Sequence, residues 1–196
     1  GENNQPIEPT VVRALGDGNY ETVKGVLEKF EKAWDTKLNP NIGTKATDCF
    51  PKMISGDIKG LFIFGEDPVR TDPNTHHVIK SLESLDFFAI DELFMTETAK
   101  LADVILPGRS YAEKEGTFSN TERRVQRVRK AVEIEGDTKP DTWIFTEIMR
   151  RMGYPQPHLT PAQIMDEIAS VTPSFAGISH ERLDSEEVNG QGLQWP

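Results

Sequence analysis

The chain has 196 residues, 36% apolar and 28% charged, which is the ordinary composition of a globular protein and suits one domain with an appendage. Its formal charge of -10 excludes a general nucleic-acid binder, although Arg123, Arg124, Arg127, Arg129 and Lys130 form a local basic cluster. Cys49 is the only cysteine, which excludes an intrachain disulfide, a four-cysteine zinc site and an iron–sulfur cluster. No apolar run approaches the roughly 18 to 20 residues needed to span a bilayer, and no signal-like segment opens the chain. The expectation is a cytoplasmic protein without membrane insertion.

Residues 1–18 are rich in Gly, Pro and Asn without periodicity, so residues 1–20 are expected to be a mobile lead-in. From Glu21 to Trp34, Val23, Val26, Leu27, Phe30 and Trp34 recur at helical spacing. Asn39 to Gly43 breaks that helix, and a short irregular or helical passage leads to Gly56. Ile58 to Phe64 is an apolar run ending at a glycine, the pattern of a buried strand. Asn74 to Ser84 has Val78, Ile79 and Leu82 on one helical face, Asp86 to Ile90 is a second strand, Thr96 to Leu101 a helix capped by Thr96, and Asp103 to Leu106 a third strand. This alternation predicts an α/β fold with a Rossmann-like parallel sheet and flanking helices.

Downstream, Gly116 to Val132 alternates weakly and is expected to run over the sheet edge. Asp141 to Met152 and Pro161 to Val171 follow helix-start signals, with Trp143, Ile144, Ile148, Ile164 and Ile168 inward. They make a helical C-terminal extension. The tail from Ser179 to Pro196 shows no core of its own and reads as running on into something absent. The predicted organisation is therefore a lead-in over 1–20, a ligand-binding α/β region over 21–135 and the extension over 136–196.

Ligands of doubly wound sheets bind beyond the carboxyl ends of the strands. Here those ends carry Gly65-Glu66-Asp67-Pro68, Asp91-Glu92, Pro107-Gly108 and, after a loop, Gly116 to Arg124. The last segment follows a strand-like run and packs glycine, hydroxyl, amide and guanidinium donors together, which suits a large anion or a nucleotide. Arginine offers a planar fork of donors, glycine lets backbone amides approach closely, and Asn and Thr can orient a neutral heterocycle. Each segment also has an ordinary reading: a strand-terminating turn for Gly65 to Pro68, solvated or capping acids for Asp91 and Glu92, helix caps for Thr96 and Thr98, and a solvated face for the basic cluster.

Six segments carry a resemblance in order and at fitting spacing: Lys29 to Trp34, Gly65 to Pro68, Phe94 to Pro107, Glu113 to Arg127, Lys139 to Trp143 and Arg150 to Tyr154. Together they resemble the molybdopterin oxidoreductase superfamily, and within it an internal stretch of the catalytic alpha subunit of molybdenum- or tungsten-dependent formate dehydrogenase. The resemblance implies a share in binding molybdopterin guanine dinucleotide in the intact parent. Gly65, Glu66, Asp67 and Pro68 would approach the pyrophosphate or pterin, Asp91 or Glu92 would accept from guanine or ribose, and Thr96, Gly116, Thr117, Asn120 and Arg124 would complete the pocket. One departure is that Asp91-Glu92 stands where the family pattern has Gln-Asp, which leaves open which acid faces the ligand. The implied partners are the remainder of the alpha subunit and iron–sulfur electron-transfer subunits.

The family's cluster-binding cysteines, its metal-ligating cysteine or selenocysteine and the adjacent His and Arg have no counterparts among these residues. The chain is therefore expected to be inactive alone and to carry no cofactor or metal. Adjacent His76 and His77 at a helix start read as solvated, His158 and His180 are isolated, and Cys49 lacks a basic partner to make it a thiolate. Other readings remain: the large iron–sulfur subunit of respiratory complex I, which shares Gly-x-x-Pro and Thr-Glu-Thr-Ala patterns, another molybdopterin oxidoreductase, and a nucleotide-binding module without catalysis. The run Asn120 to Arg127 and the following Lys-Pro-Asp favour the dehydrogenase.

Overall fold

A computed structural model describes residues 12–14, 20–41, 43–133 and 136–195. In chain order the elements are β1 (Val12–Ala14), β2 (Tyr20–Thr22), α1 (Val23–Ala33), α2 (Ala46–Ile54), β3 (Gly60–Phe64), α3 (Pro68–Thr71), α4 (Thr75–Glu83) and β4 (Phe87–Glu92). A 3-10 turn (Ala99–Leu101) precedes β5 (Val104–Pro107), β6 (Gly116–Ser119), β7 (Arg124–Val128), α5 (Asp141–Arg151) and α6 (Pro161–Val171). A second 3-10 turn (Pro173–Phe175), α7 (His180–Leu183) and β8 (Leu193–Gln194) complete the series. The expected lead-in falls largely outside the described residues, but β1 lies within it and pairs antiparallel with β2, Val12 opposite Thr22.

The chain forms two compact units. One comprises Ile42–Lys114 and Arg129–His158, the other Gly1–Asn41, Glu115–Val128 and Leu159–Pro196. The first of these holds the parallel sheet, in the order β3-β4-β5. Leu61 lies beside Phe88, and Ile90 beside Ile63 and Ile105, so these side chains share one face. That face meets α2, α4 and the first 3-10 turn in a core of Met53, Val78, Leu82, Phe88, Ile90 and Ala99. Phe88 is 1% exposed, and burying a side chain of its size stabilises by about 1.5–3 kcal/mol. Asn74 starts α4 by accepting from the His77 amide at 3.2 Å, one of the orphan donors of a helix start.

Alternation along the strands puts Phe62, Phe64, Phe87 and Val104 on the opposite face, where each is exposed. The expected buried strand at Ile58 to Phe64 is thus only half-buried on one face and exposed on the other, because helices cover one face and α5 covers part of the other through Phe145, whose ring packs edge-on against Phe62 and Phe64. Two further expectations need correction. The second strand runs on to Glu92, so Asp91 and Glu92 end the strand instead of following it. The helix expected from Thr96 is the single 3-10 turn, since the chain already rejoins the sheet at Asp103, whose amide donates to the Phe88 carbonyl at 2.8 Å.

In the other unit β6 and β7 pair antiparallel, and β8 adds to β7 with Val125 opposite Leu193. Gly116 to Val132 is therefore largely a hairpin and not a segment straying over a sheet edge. Val125, Met165, Ile178 and Leu183 form a core that Phe175, Leu193 and Trp195 extend. The tail from Ser179 has no core within itself but shares this one, with Met165 and Phe175 and with Val125 more than fifty positions upstream, so it carries no local signature. Helix α6 starts with a reciprocal capping box between Thr160 and Gln163, followed by Pro161 at its first turn. Trp34, after α1, donates from Nε1 to Glu167 of α6 at 2.7 Å.

Candidate functional site

Parallel register aligns the carboxyl ends of the three strands. Phe64 sits opposite Asp91 and Glu92 opposite Pro107, while the Gly65 amide donates to the Asp91 carbonyl at 2.9 Å and the Gly108 amide to the Glu92 carbonyl at 3.2 Å. The Gly65 to Pro68 turn, Asp91 with Glu92, and Pro107 with Gly108 therefore form one continuous edge. Such an edge is where the sheet's turns present amides and polar side chains to a ligand.

Gly65 has φ +58, a left-handed conformation that favours glycine, and it turns the chain sharply off β3. Glu66 is exposed at the apex. Asp67 faces inward: one carboxylate oxygen accepts from the Thr98 amide at 3.2 Å and from the Thr98 hydroxyl at 2.6 Å. Thr98 Oγ1 in turn accepts from the Val69 amide at 3.1 Å, and Pro68 opens α3. This relay fastens the turn after β3 to the loop after β4. Thr98 is fully buried and was not among the sequence candidates, since only the Thr-x-Thr repeat marks it and its partner lies 31 residues upstream. Thr96 does what its ordinary reading says, with Oγ1 accepting from the Ala99 amide at 3.1 Å.

Asp91 and Glu92 point to opposite faces, as adjacent strand residues must. Asp91 is 2% exposed and lies on the α5 side, near Gly108 and Asp141. A Cβ on Gly108 would stand 2.6 Å from Asp91 Oδ1 and 3.2 Å from Asp141 Oδ1, so a side chain there would have to push the Asp91 carboxylate aside. Asp141 is paired with Lys114, while Asp91 Oδ2 is buried with no hydrogen-bond partner. Burial first, and then the neighbouring Asp141 carboxylate, push the Asp91 carboxyl up to about 6 against the opposing Lys114 charge. Glu92 is half-buried, and its Oε1 accepts from the Leu93 amide at 2.7 Å. The next three residues, Leu93, Phe94 and Met95, are exposed and apolar.

Gly116, Thr117, Asn120 and Arg124 belong to the other unit, on the β6–β7 hairpin. Asn120 holds the hairpin turn, its side-chain oxygen accepting from the Glu122 and Arg124 amides at 3.0 Å each. Arg123 within that turn has φ +63 and lies over the Trp195 ring. Arg124 donates to the Gly192 carbonyl at 3.4 Å, and Thr117 to Met165 Sδ at 3.8 Å. Within the basic cluster, Arg127 donates to Asp184 and to the Gly116 carbonyl and lies 3.6 Å from Glu115. Its charge is thereby largely met by its own unit. His76 is exposed and the His77 ring meets Phe50 edge-on at 6.3 Å. Among the described residues no group of three or more His, Cys, Asp and Glu could hold a metal, and no helix is long and apolar enough to cross a membrane.

Comparison with known proteins bears on what this edge serves. The alpha subunit of F420-dependent formate dehydrogenase 1 from Methanococcus maripaludis is 42% identical over 181 residues, covering 90% of this chain and 26% of that protein. The alpha subunit of the F420-dependent formate dehydrogenase from Methanocaldococcus jannaschii is 44% identical over 182 residues, with the same coverage. The chain thus spans about a quarter of the length of these relatives. Acetylene hydratase from Pelobacter acetylenicus shares the fold with a TM-score of 0.57 and 25% identity, over 80% of this chain and 22% of that one. The family model for molybdopterin oxidoreductases matches residues 12–151, a stretch that takes in the whole parallel sheet and the hairpin after it, and the chain belongs to that family.

Proposed function

We propose that this chain is the cofactor-binding portion of a formate dehydrogenase alpha subunit and that it holds part of a molybdopterin guanine dinucleotide along the aligned strand ends. The parent would oxidise formate to carbon dioxide in the cytoplasm and pass electrons to iron–sulfur subunits, with the rest of the alpha subunit supplying the metal ligand and catalytic residues. The observation that carries the reading is the register that brings Gly65, Asp91-Glu92 and Gly108 onto one edge. The relatives' names support formate as the substrate.

The residues present fit the group. Guanine offers N–H donors, and Glu92, half-buried at the strand end with one oxygen on Leu93, supplies a carboxylate beside the glycine turn. The cofactor, when bound, supplies the metal–dithiolene centre at which formate gives up two electrons. This chain's task is to bind and orient it. Glu92 accepts from the base, the Gly65 turn leaves space for close backbone approach, and the Asp67–Thr98–Val69 relay keeps that turn in place. Thr96 in the loop after β4 and Glu66 and Pro68 in the first turn are proposed as further cofactor contacts of this unit, and Gly116, Thr117, Asn120 and Arg124 on the hairpin are proposed as cofactor contacts of the other.

Glu92→Ala in the full-length alpha subunit tests this. A charge-assisted hydrogen bond contributes on the order of 1.5–3 kcal/mol, so pterin and metal content per folded protein should fall by about tenfold or more at limiting cofactor. Asp91→Ala should lower it less, because its carboxylate is buried on the other face. Glu92→Gln should be no better than intermediate, since an amide turns a donor toward the base. Wild-type occupancy in Glu92→Ala would refute the assignment, and selective loss in Asp91→Ala would move it back by one residue.

A further inference from the structure

Among the described residues of its unit, the sheet face opposite α2 and α4 is only half covered. Helix α5 lies over its carboxyl-terminal half, where Phe145 meets Phe62 and Phe64 at ring-centroid distances of 5.7 and 5.1 Å. Over the amino-terminal half a groove of about 490 Å³ runs between the strands and α5, lined by Phe62, Phe87, Val104, Leu106, Phe145 and Ile148 among others, with no charged side chain on its walls. Phe87 at its mouth is 50% exposed and Val104 is 38% exposed. Parallel sheets are stable when both faces are covered, because their strands carry apolar side chains on both sides. An open trough of this kind, beside a helix already seated on the same face, has the shape left for a second helix packed next to the first.

We propose that this groove seats an amphipathic α-helix contributed by the same polypeptide from outside these 196 residues, laid beside α5 with its apolar stripe on Phe62, Phe87 and Val104. The inference rests on the reading that the chain is part of a longer alpha subunit, in which about three quarters of the length lies elsewhere, as the 26% coverage of the relatives implies. A second copy of this chain is a poor occupant, because a net charge of -10 on each opposes pairing of like surfaces. A charged or polar partner is a poor one too, because the walls would leave its polar groups unpaired. A covalently continuous helix meets neither objection and is present at high effective concentration.

The test is photo-crosslinking in the full-length subunit, with Phe87 or Val104 replaced by p-benzoylphenylalanine and exposed Glu83 on α4 as the control position. Peptide mapping should find both groove probes joined to one segment of the same polypeptide beyond these residues, with apolar side chains at i, i+3 or i+4 spacing, and the control not joined to it. Crosslinks to a second copy, to another subunit or within the 196 residues would overturn the proposal, and so would their absence. The length of the native polypeptide separates this failure from that of the functional reading. A native polypeptide of only 196 residues sinks both, whereas a longer one without the crosslink sinks only the helix.

Discussion

Asp91 is a carboxyl group placed where ionisation is unfavourable. It is 2% exposed, Asp141 stands beside it across Gly108, and its Oδ2 has no hydrogen-bond partner. Its folded pKa is raised from 3.8 to about 6, so the native state holds the proton more tightly than the unfolded chain. Stability from this group is fully present below about pH 4 and is lost as the pH rises through about 6. Asp91→Asn, which cannot ionise, should therefore gain on the wild type as the pH rises. Its melting temperature relative to wild type should climb by at least about 2 °C between pH 4.5 and pH 7.5, the scale expected when around 1 kcal/mol shifts in a protein of this size. Thermal denaturation at several pH values reads this directly, and a difference independent of pH would show that Asp91 is not strained by charge.

Among the elements, β8 shows how a two-residue strand can fasten a tail. Gly192 leads into it with φ +79, and a Cβ there would fall 2.4 Å from the Val125 carbonyl oxygen and 2.6 Å from Cγ of Gln126. Backbone cannot yield that distance, so Gly192→Ala should peel β8 from β7. Trp195 would then leave Phe175, on which it stacks at 5.3 Å, and the Arg123 guanidinium would lose the ring beneath it. Hydrogen exchange should show faster labelling of the Trp195 amide, which donates to the Arg123 carbonyl, and of the Val125 strand, while β3 and β4 keep wild-type protection. Unchanged protection at Trp195 would mean that the strand pairing tolerates the clash.

At the scale of the whole molecule, the proposed role of the sheet edge is to hold a ligand, with the chemistry supplied from elsewhere in the parent. The only cysteine is Cys49, a residue of α2 packed against the core, and Asp67 and Thr98 at the edge are engaged in fastening turns together. The 196-residue chain by itself should reduce no dye with formate and should contain no stoichiometric molybdenum, tungsten or iron. Elemental analysis of the purified chain and a formate-dependent dye assay check this. Turnover accompanied by bound metal would overturn the division of labour proposed above.

Local pattern by itself determined a good deal: the three apolar strands, the helices over Val23–Ala33, Thr75–Glu83, Asp141–Arg151 and Pro161–Val171, and the parallel α/β character all follow from periodicity and helix-start signals. The motif order also identified the family that the matching model reports. Tertiary structure alone decided which side of each strand is covered, since alternation marks two faces without saying that helices take the Phe88 face and leave Phe87 open. It also decided that Asp67 turns inward to Thr98 and that Asp91 is buried, because both outcomes depend on partners tens of residues away. The packing of the tail has no local signature for the same reason. Leu193 finds Val125 across 68 positions, and a pairing between segments so distant leaves no periodic trace in either of them.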